Sequence, residues 1–247
     1  MSYRSRVSTQ LTATLLTTLG LWLGSNLTLS AFAQFIPPDN IGIPGRREGG
    51  GTRGECLNST QPLMALVPEN SYGETVSPYP TFFWFVPDVP AQAAEFVLYD
   101  EAGNEIYYTT FQLVGTSGIL SLSLPETADL PPLEPNQNYE WVFSLVCDTQ
   151  DRSGDLFTTG WLQRVDPDPA MQEQLATVTE GDRANIYAQN GVWYDALAAL
   201  ATQYRDNPTD AAIANEWTSL LTSVGLGDFA DAPLIQTYGP DVETPAP

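Results

Sequence analysis

The chain has 247 residues, long enough to bury one large or two small cores, and its acids outnumber its bases 30 to 9 for a net charge of −21. A field of that sign repels phosphate backbones and anionic lipid surfaces, which argues against nucleic-acid and peripheral-membrane partners. Every base is an arginine, and the absence of lysine and histidine removes Schiff-base chemistry, the Ser-His-Asp and Cys-His constellations and any histidine-ligated zinc site. A carboxylate pair or an acidic metal site are the catalytic routes left.

At the amino terminus Arg4 and Arg6 precede an apolar stretch over 14–24, followed by Leu29-Ser30-Ala31-Phe32-Ala33. Basic, then apolar, then small-x-small is the order of a cleavable secretory signal, with cutting expected after Ala33 and no membrane span afterwards. An uncleaved anchor is the alternative, and the threonines and short apolar centre weigh against it. Export places Cys56 and Cys147 in an oxidising compartment, the periplasm, cell envelope or exterior, where two cysteines predict one disulfide. No cofactor is expected.

Residues 34–60 are rich in proline, glycine and asparagine without a sustained period, and read as an extended leader pinned at Cys56. The run Gly49-Gly50-Gly51 beside Arg46, Arg47 and Arg53 invites comparison with a phosphate loop. That reading fails, because the lysine and the strand-then-helix context are missing. A flexible arm whose arginines lie back on an acidic body is the better expectation.

From 61 to 166 short apolar runs alternate with turn residues, at 63–67, 81–86, 95–99, 105–113, 118–124, 139–146 and 157–165. Seven short strands at such intervals predict an antiparallel sandwich rather than a parallel sheet. Leu133, Pro135 and Tyr139, leading into the penultimate strand, have the spacing of the tyrosine corner of immunoglobulin-like and fibronectin III-like sandwiches. Tyr139 is read as structural.

Binding candidates come from two places in this region. In Phe82-Phe83-Trp84-Phe85, strand neighbours alternate faces, so either both faces are covered or two rings stand exposed. Packing against the leader or the later helices is the preferred explanation. Trp84 and Trp161 are kept as aromatic candidates for a glycan or a partner groove. The loop 148–155 groups Asp148, Asp151 and Asp155 around Arg152. Calcium suits oxygen-rich loops of this kind, but the spacing is not that of an EF-hand and Arg152 opposes a bound cation. A salt-bridged hairpin loop is the preferred reading, with no metal assigned.

After Asp166 the period changes from two to that of a helix. Asp168 and Pro169 fit the start of a short helix to about 177. Thr179 and Asp182 resemble a capping box for a helix over 180–189. Trp193, Leu197, Leu200, Ala201 and Tyr204 then fall on one helical face, and Ile213, Trp217, Leu220, Leu221 and Val224 repeat that spacing before Gly225. Tyr187, Gly191, Ala196, Leu200 and Pro208 partly match the second half of a tetratricopeptide repeat. The predicted organisation is a signal peptide over 1–33, a leader over 34–60, a β-sandwich domain over 61–166, a helical domain over 167–228 and a loose tail over 229–247. The fold class is β-rich α+β: a seven-strand immunoglobulin/fibronectin III-like sandwich followed by a tetratricopeptide-like hairpin and a closing helix.

Taken together, GGGTRGEC, LMALVPEN, YPTFFWFVP, EFVLYDEAGNEIY, SLVCDTQDRSGD, GWLQRV and GVWYDALAAL resemble a cyanobacterial secreted family known as domain of unknown function 928. The resemblance spans roughly 49–225 and implies export, with no catalytic or binding residues to carry over. The residues themselves lead to an exported non-catalytic binding or assembly module, its partner an envelope protein or glycan. A carboxylate-based glycan hydrolase using a pair such as Asp151 and Asp155, and a calcium-stabilised structural protein, are the alternatives.

Overall fold

Strands dominate from Arg46 to Arg164, and helices follow. The computed structural model describes residues 34–38, 45–51, 56, 59–91, 93–113, 117–126 and 130–239. The segment read as a signal peptide, Arg53 and the last residues of the tail lie outside them. The described residues fall within one compact unit, 32–247.

The strands are β1 (Arg46–Gly50), β2 (Met64–Ala65), β3 (Tyr72–Thr75), β4 (Thr81–Val86), β5 (Ala93–Asp100), β6 (Glu105–Phe111), β7 (Gly118–Ser123), β8 (Asn138–Val146), β9 (Leu156–Arg164) and β10 (Leu234–Tyr238). The helices are α1 (Pro169–Thr177), α2 (Arg183–Gln189), α3 (Trp193–Asp206) and α4 (Ala211–Ser223). The architecture is therefore β-rich α+β.

The strands join into a single curled mixed sheet in the order β10-β7-β4-β2-β1-β9-β8-β5-β6, with β3 paired to β9 beside that path. This corrects the expectation of seven purely antiparallel strands. Three more segments take part, and β3–β9 and β10–β7 are parallel pairs. The physical reason is backbone pairing at free edges: the leader supplies β1 between β2 and β9, and the stretch expected to be a loose tail supplies β10 alongside β7. The two ends of the path meet where the Phe111 and Tyr238 rings lie 3.9 Å apart.

The curl folds β4 and β7 over β5 and β8, and aromatic rings fill the space between. Phe82 and Trp84 on β4 meet Phe96 on β5 and Trp141 and Phe143 on β8, Trp84 stacking on Phe143 at 4.2 Å. Phe83 and Phe85, on the opposite face of β4, are equally buried, and Phe85 lies 4.9 Å from Phe229 beyond α4. Both faces of β4 are thus covered, the outcome the packing explanation requires. Gly160 on β9 is small because a Cβ there would strike the Trp141 ring.

Tyr139 does what its spacing predicts: its hydroxyl accepts the Glu134 N–H at 2.8 Å. The disulfide between Cys56 and Cys147 is formed, with Cα atoms 6.2 Å apart. The leader has further anchors. Ile36 N–H donates to the Ala188 carbonyl at 3.0 Å, Phe35 meets Trp193 edge-on, and Arg47 donates to the carbonyls of Val67 and Val224.

The helices begin much as the sequence implies. Asp168 caps α1 through the Met171 N–H as expected, and Asp210, which is not singled out from the sequence, caps α4 through the Ala212 and Ile213 N–H groups. Thr179 differs: its hydroxyl bonds the Asp182 carboxylate instead of a backbone N–H, residues 180–182 form a tight turn, and α2 begins at Arg183. The apolar face of α3 is buried on two sides. It meets α4, where Tyr204 stacks on Trp217 at 5.7 Å, and it lies over β3 and β4. Helix and sheet residues consequently share one core. Gly73 permits the close approach of α3, since a Cβ there would sit 2.9 Å from the Tyr194 ring.

Candidate functional site

The layer β6-β5-β8-β9 has two faces, because alternate residues of a strand point to opposite sides. Inward go Phe96, Leu98, Trp141, Phe143 and Leu162, all at or near zero exposure. The outward face is organised by strand register into rows. One row runs Tyr108, Val97, Val142, Thr159, and ends at Arg46. A second runs Thr110, Glu95, Ser144, Phe157. A third joins Tyr99, Glu140 and Trp161. Tyr108 is 50% exposed and Phe157 38%, with the Arg46 guanidinium 5.3 Å above the Phe157 ring. Tyr99 and Trp161 are half-buried. Rings therefore alternate with carboxylates and hydroxyls across an open sheet face.

The loop after β8 borders this face. Arg152 reaches from it to Glu95, bonding both carboxylate oxygens at 2.7 and 3.2 Å, and also pairs with Asp155. These bonds, Glu95 first and Asp155 second, hold the guanidinium above its ordinary pKa. Asp155 uses its other oxygen to accept the Cys147 N–H at 3.0 Å, which ties the loop to the disulfide. Asp151 accepts the Ser153 N–H, and Asp148 accepts the Gln150 N–H. The loop is locally satisfied, with an arginine where a cation would stand. Among the described residues no group of three or more His, Cys, Asp or Glu is placed to hold a metal ion.

The aromatic candidates separate. Trp84 is 1% exposed and belongs to the core, because its face of β4 is the one covered by β5 and β8. Trp161 lies on the open face. Of the residues singled out from sequence, the structure pairs Arg152 directly with Asp155 while Arg152 also holds Glu95, and it sets Trp161 on the same sheet face as Glu95, two rows away.

One site escapes sequence reading. Asp195, on the first turn of α3, is turned toward the end of β3, where its Oδ2 accepts the Thr75 hydroxyl at 2.7 Å and the Val76 N–H at 3.0 Å. Burial pushes this carboxyl up to about 6. It lines a cavity of about 140 Å³ together with Thr75, Ser77, Tyr79, Tyr187 and Tyr194. Tyr194 is anchored beneath it, accepting the Trp141 indole N–H at 2.9 Å and donating to the Trp161 carbonyl at 3.3 Å. Burial holds its phenol well above the ordinary range. In the sequence Asp195 looks like an ordinary acid favoring a helix start, and only the tertiary approach of β3 distinguishes it.

A search among curated proteins finds no match. Among solved structures the chain is similar to the solution structure of the fn3 domain of human collagen alpha-1(XX) chain, at 13% identity and a TM-score of 0.27, over 49% of this chain and 89% of that one. The model of the Domain of Unknown Function (DUF928) family matches residues 48–234, and the chain belongs to that family.

Proposed function

We propose that the protein is an exported, non-catalytic binding module of the cell envelope, and that it takes a neutral envelope glycan on the outward face of β6-β5-β8-β9. The observation that carries this reading is the register of that face, where Tyr99, Tyr108, Phe157 and Trp161 are interleaved with Glu95, Glu140, Ser144 and Thr159. Ring faces stack on the C–H surfaces of sugars, and the neighbouring carboxylates and hydroxyls meet sugar hydroxyls. The net charge of −21 disfavours acidic polymers and leaves neutral ones free to approach. Export is supported by the Cys56–Cys147 disulfide. Among the described residues no helix is long and apolar enough to cross a membrane.

The hydrolase alternative is disfavoured by the state of its carboxylates. Asp155 is engaged by Arg152 and the Cys147 N–H, and Asp151 caps the turn at Ser153. Neither is positioned as a free acid or base. The finer reading of the fold belongs here too. Strand order β2-β4-β7 on one side and β6-β5-β8-β9 on the other, with the Tyr139 bond between, supports a fibronectin III-like sandwich. The α2–α3 pair, tetratricopeptide-like in its spacing, serves as its rigid cap.

The test is co-sedimentation with envelope polysaccharide freed of protein. Retention is expected, with at least a tenfold loss in a Tyr108→Ala/Trp161→Ala double variant. Retention only by envelope fractions that still contain protein would replace the glycan with a protein partner. Release of reducing ends during incubation would overturn the non-catalytic reading.

A further inference from the structure

The cavity at the α3–β3 junction has the composition of a cation receptor, and it lies away from the outward sheet face. Tyr79, Tyr187 and Tyr194 line it together with Asp195, and Thr75 and Ser77 are among its other lining residues. Two of the phenols have their hydroxyls fixed elsewhere: Tyr79 donates to the Leu130 carbonyl at 3.2 Å, and Tyr194 to the Trp161 carbonyl. Those bonds fix the two hydroxyls, so neither is free to serve as a ligand group in the cavity.

Asp195 is bonded by neutral groups, the Thr75 hydroxyl and backbone N–H groups of Val76 and Ser77. Arg183 bonds the Tyr187 hydroxyl and is paired with Glu180 at 3.0 Å. The first turn of α3 adds a partial positive charge of about half an elementary unit, which leaves the ionised carboxylate net negative. With no lysine in the chain, no side-chain ammonium of the protein itself can fill the site.

We infer that this cavity binds a small organic ammonium ion, its positive head held between the Tyr79, Tyr187 and Tyr194 rings and the Asp195 carboxylate. Aromatic rings attract such a head through their negative faces, and desolvation strengthens that attraction to about 2 kcal/mol or more. Size agrees. A cavity of about 150 Å³ accepts a ligand of benzene's dimensions, and the one here is about 140 Å³. That space suits a trimethylammonium head, with any tail directed outward through the open side. The elevated pKa of Asp195 fits a carboxyl desolvated without a counter-ion.

The test is titration calorimetry of the full chain at pH 7.5 with choline, tetramethylammonium and the uncharged choline isostere 3,3-dimethylbutan-1-ol, in a fixed excess of sodium chloride. Saturable choline binding is expected, at least tenfold tighter than the isostere. Tyr187→Ala, a change at a half-buried ring, is expected to weaken choline at least fivefold, and Asp195→Asn at least tenfold with its fold checked by circular dichroism. Equal binding of choline and its isostere would overturn the inference. So would choline binding that sodium displaces completely, or that Tyr187→Ala leaves unchanged, since a generally acidic surface then accounts for it. Should Asp195→Asn fail to fold, Tyr187→Ala and the isostere still decide the matter.

Discussion

The inner and outer faces of β6-β5-β8-β9 are built from the same kinds of residue, yet they have opposite fates. Phe96, Trp141 and Phe143 on the inner face are at or near zero exposure, while Tyr108 and Phe157 on the outer face are 50% and 38% exposed. Nothing intrinsic to a phenyl or indole ring sets this difference. It comes from what the curl of the sheet brings opposite: the rings of β4 cover the inner side, while Tyr108 and Phe157 on the outer side stay open to solvent. Aromatic content alone therefore does not mark a binding surface. Aromatic content on a face that the topology leaves open does.

The contrast makes predictions of decreasing size. The largest concerns the framework common to both faces. The disulfide spans 91 residues, and replacing Cys56 and Cys147 together by alanine is expected to cost about 4–5 kcal/mol by urea unfolding, while glycan retention by the folded fraction persists. Loss of retention at equal folded fraction would tie the outer face to the loop more closely than described.

Next come the two faces themselves. Trp141→Ala empties the core and removes the indole N–H that the Tyr194 hydroxyl accepts, with an expected loss of about 3–5 kcal/mol. Trp161→Ala is expected to cost under about 1 kcal/mol while weakening glycan retention. Equal destabilisation by the two would erase the distinction between the faces.

A smaller effect separates the carboxylates. The ordinary pKa of Asp195 is 3.8, and burial raises it to about 6 in the folded chain. The folded state therefore holds this proton more tightly than the unfolded state. Its contribution to stability is fully present below pH 3.8 and is lost as pH rises through 6, a change of about 2–3 kcal/mol. Glu74 is shifted in the same direction by burial. Urea midpoints measured from pH 4 to 7 should fall with pH, and Asp195→Asn should flatten that slope.

The smallest effect is expected at the loop. Arg152 is 47% exposed, so Arg152→Ala should cost no more than about 1 kcal/mol, less still at high salt. Calcium or a chelator should leave the melting temperature unchanged, because the loop's carboxylates are already engaged.

Much of this was legible before any coordinates. The alternating runs at 95–99, 139–146 and 157–165 reveal half-buried strands directly, because each keeps one face on the core. The cap at Asp168 and the spacing to Tyr139 are local signals, and local signals survive folding. β3 and β10 were not legible. Gly73 and Glu74 are poor strand formers, and both strands pair in parallel with partners distant in sequence, so no hairpin turn announces them. The candidate sites divide in the same way. The loop 148–155 is conspicuous in sequence and satisfied in the fold, whereas Asp195 is inconspicuous until α3 docks on β3. Trp84 and Trp161 cannot be told apart from their neighbours alone, since only the cover over each face distinguishes them.

That distinction offers the most direct test of the proposed surface. Among the described residues the other tryptophans, Trp84, Trp141, Trp193 and Trp217, are all fully buried, so among these five Trp161 dominates fluorescence quenching by acrylamide. Titration with neutral envelope glycan fragments is predicted to shield it, lowering the quenchable fraction to that of Trp161→Phe at saturation. Glycan binding that leaves the quenchable fraction unchanged would contradict the assignment of the outward sheet face as the contact surface.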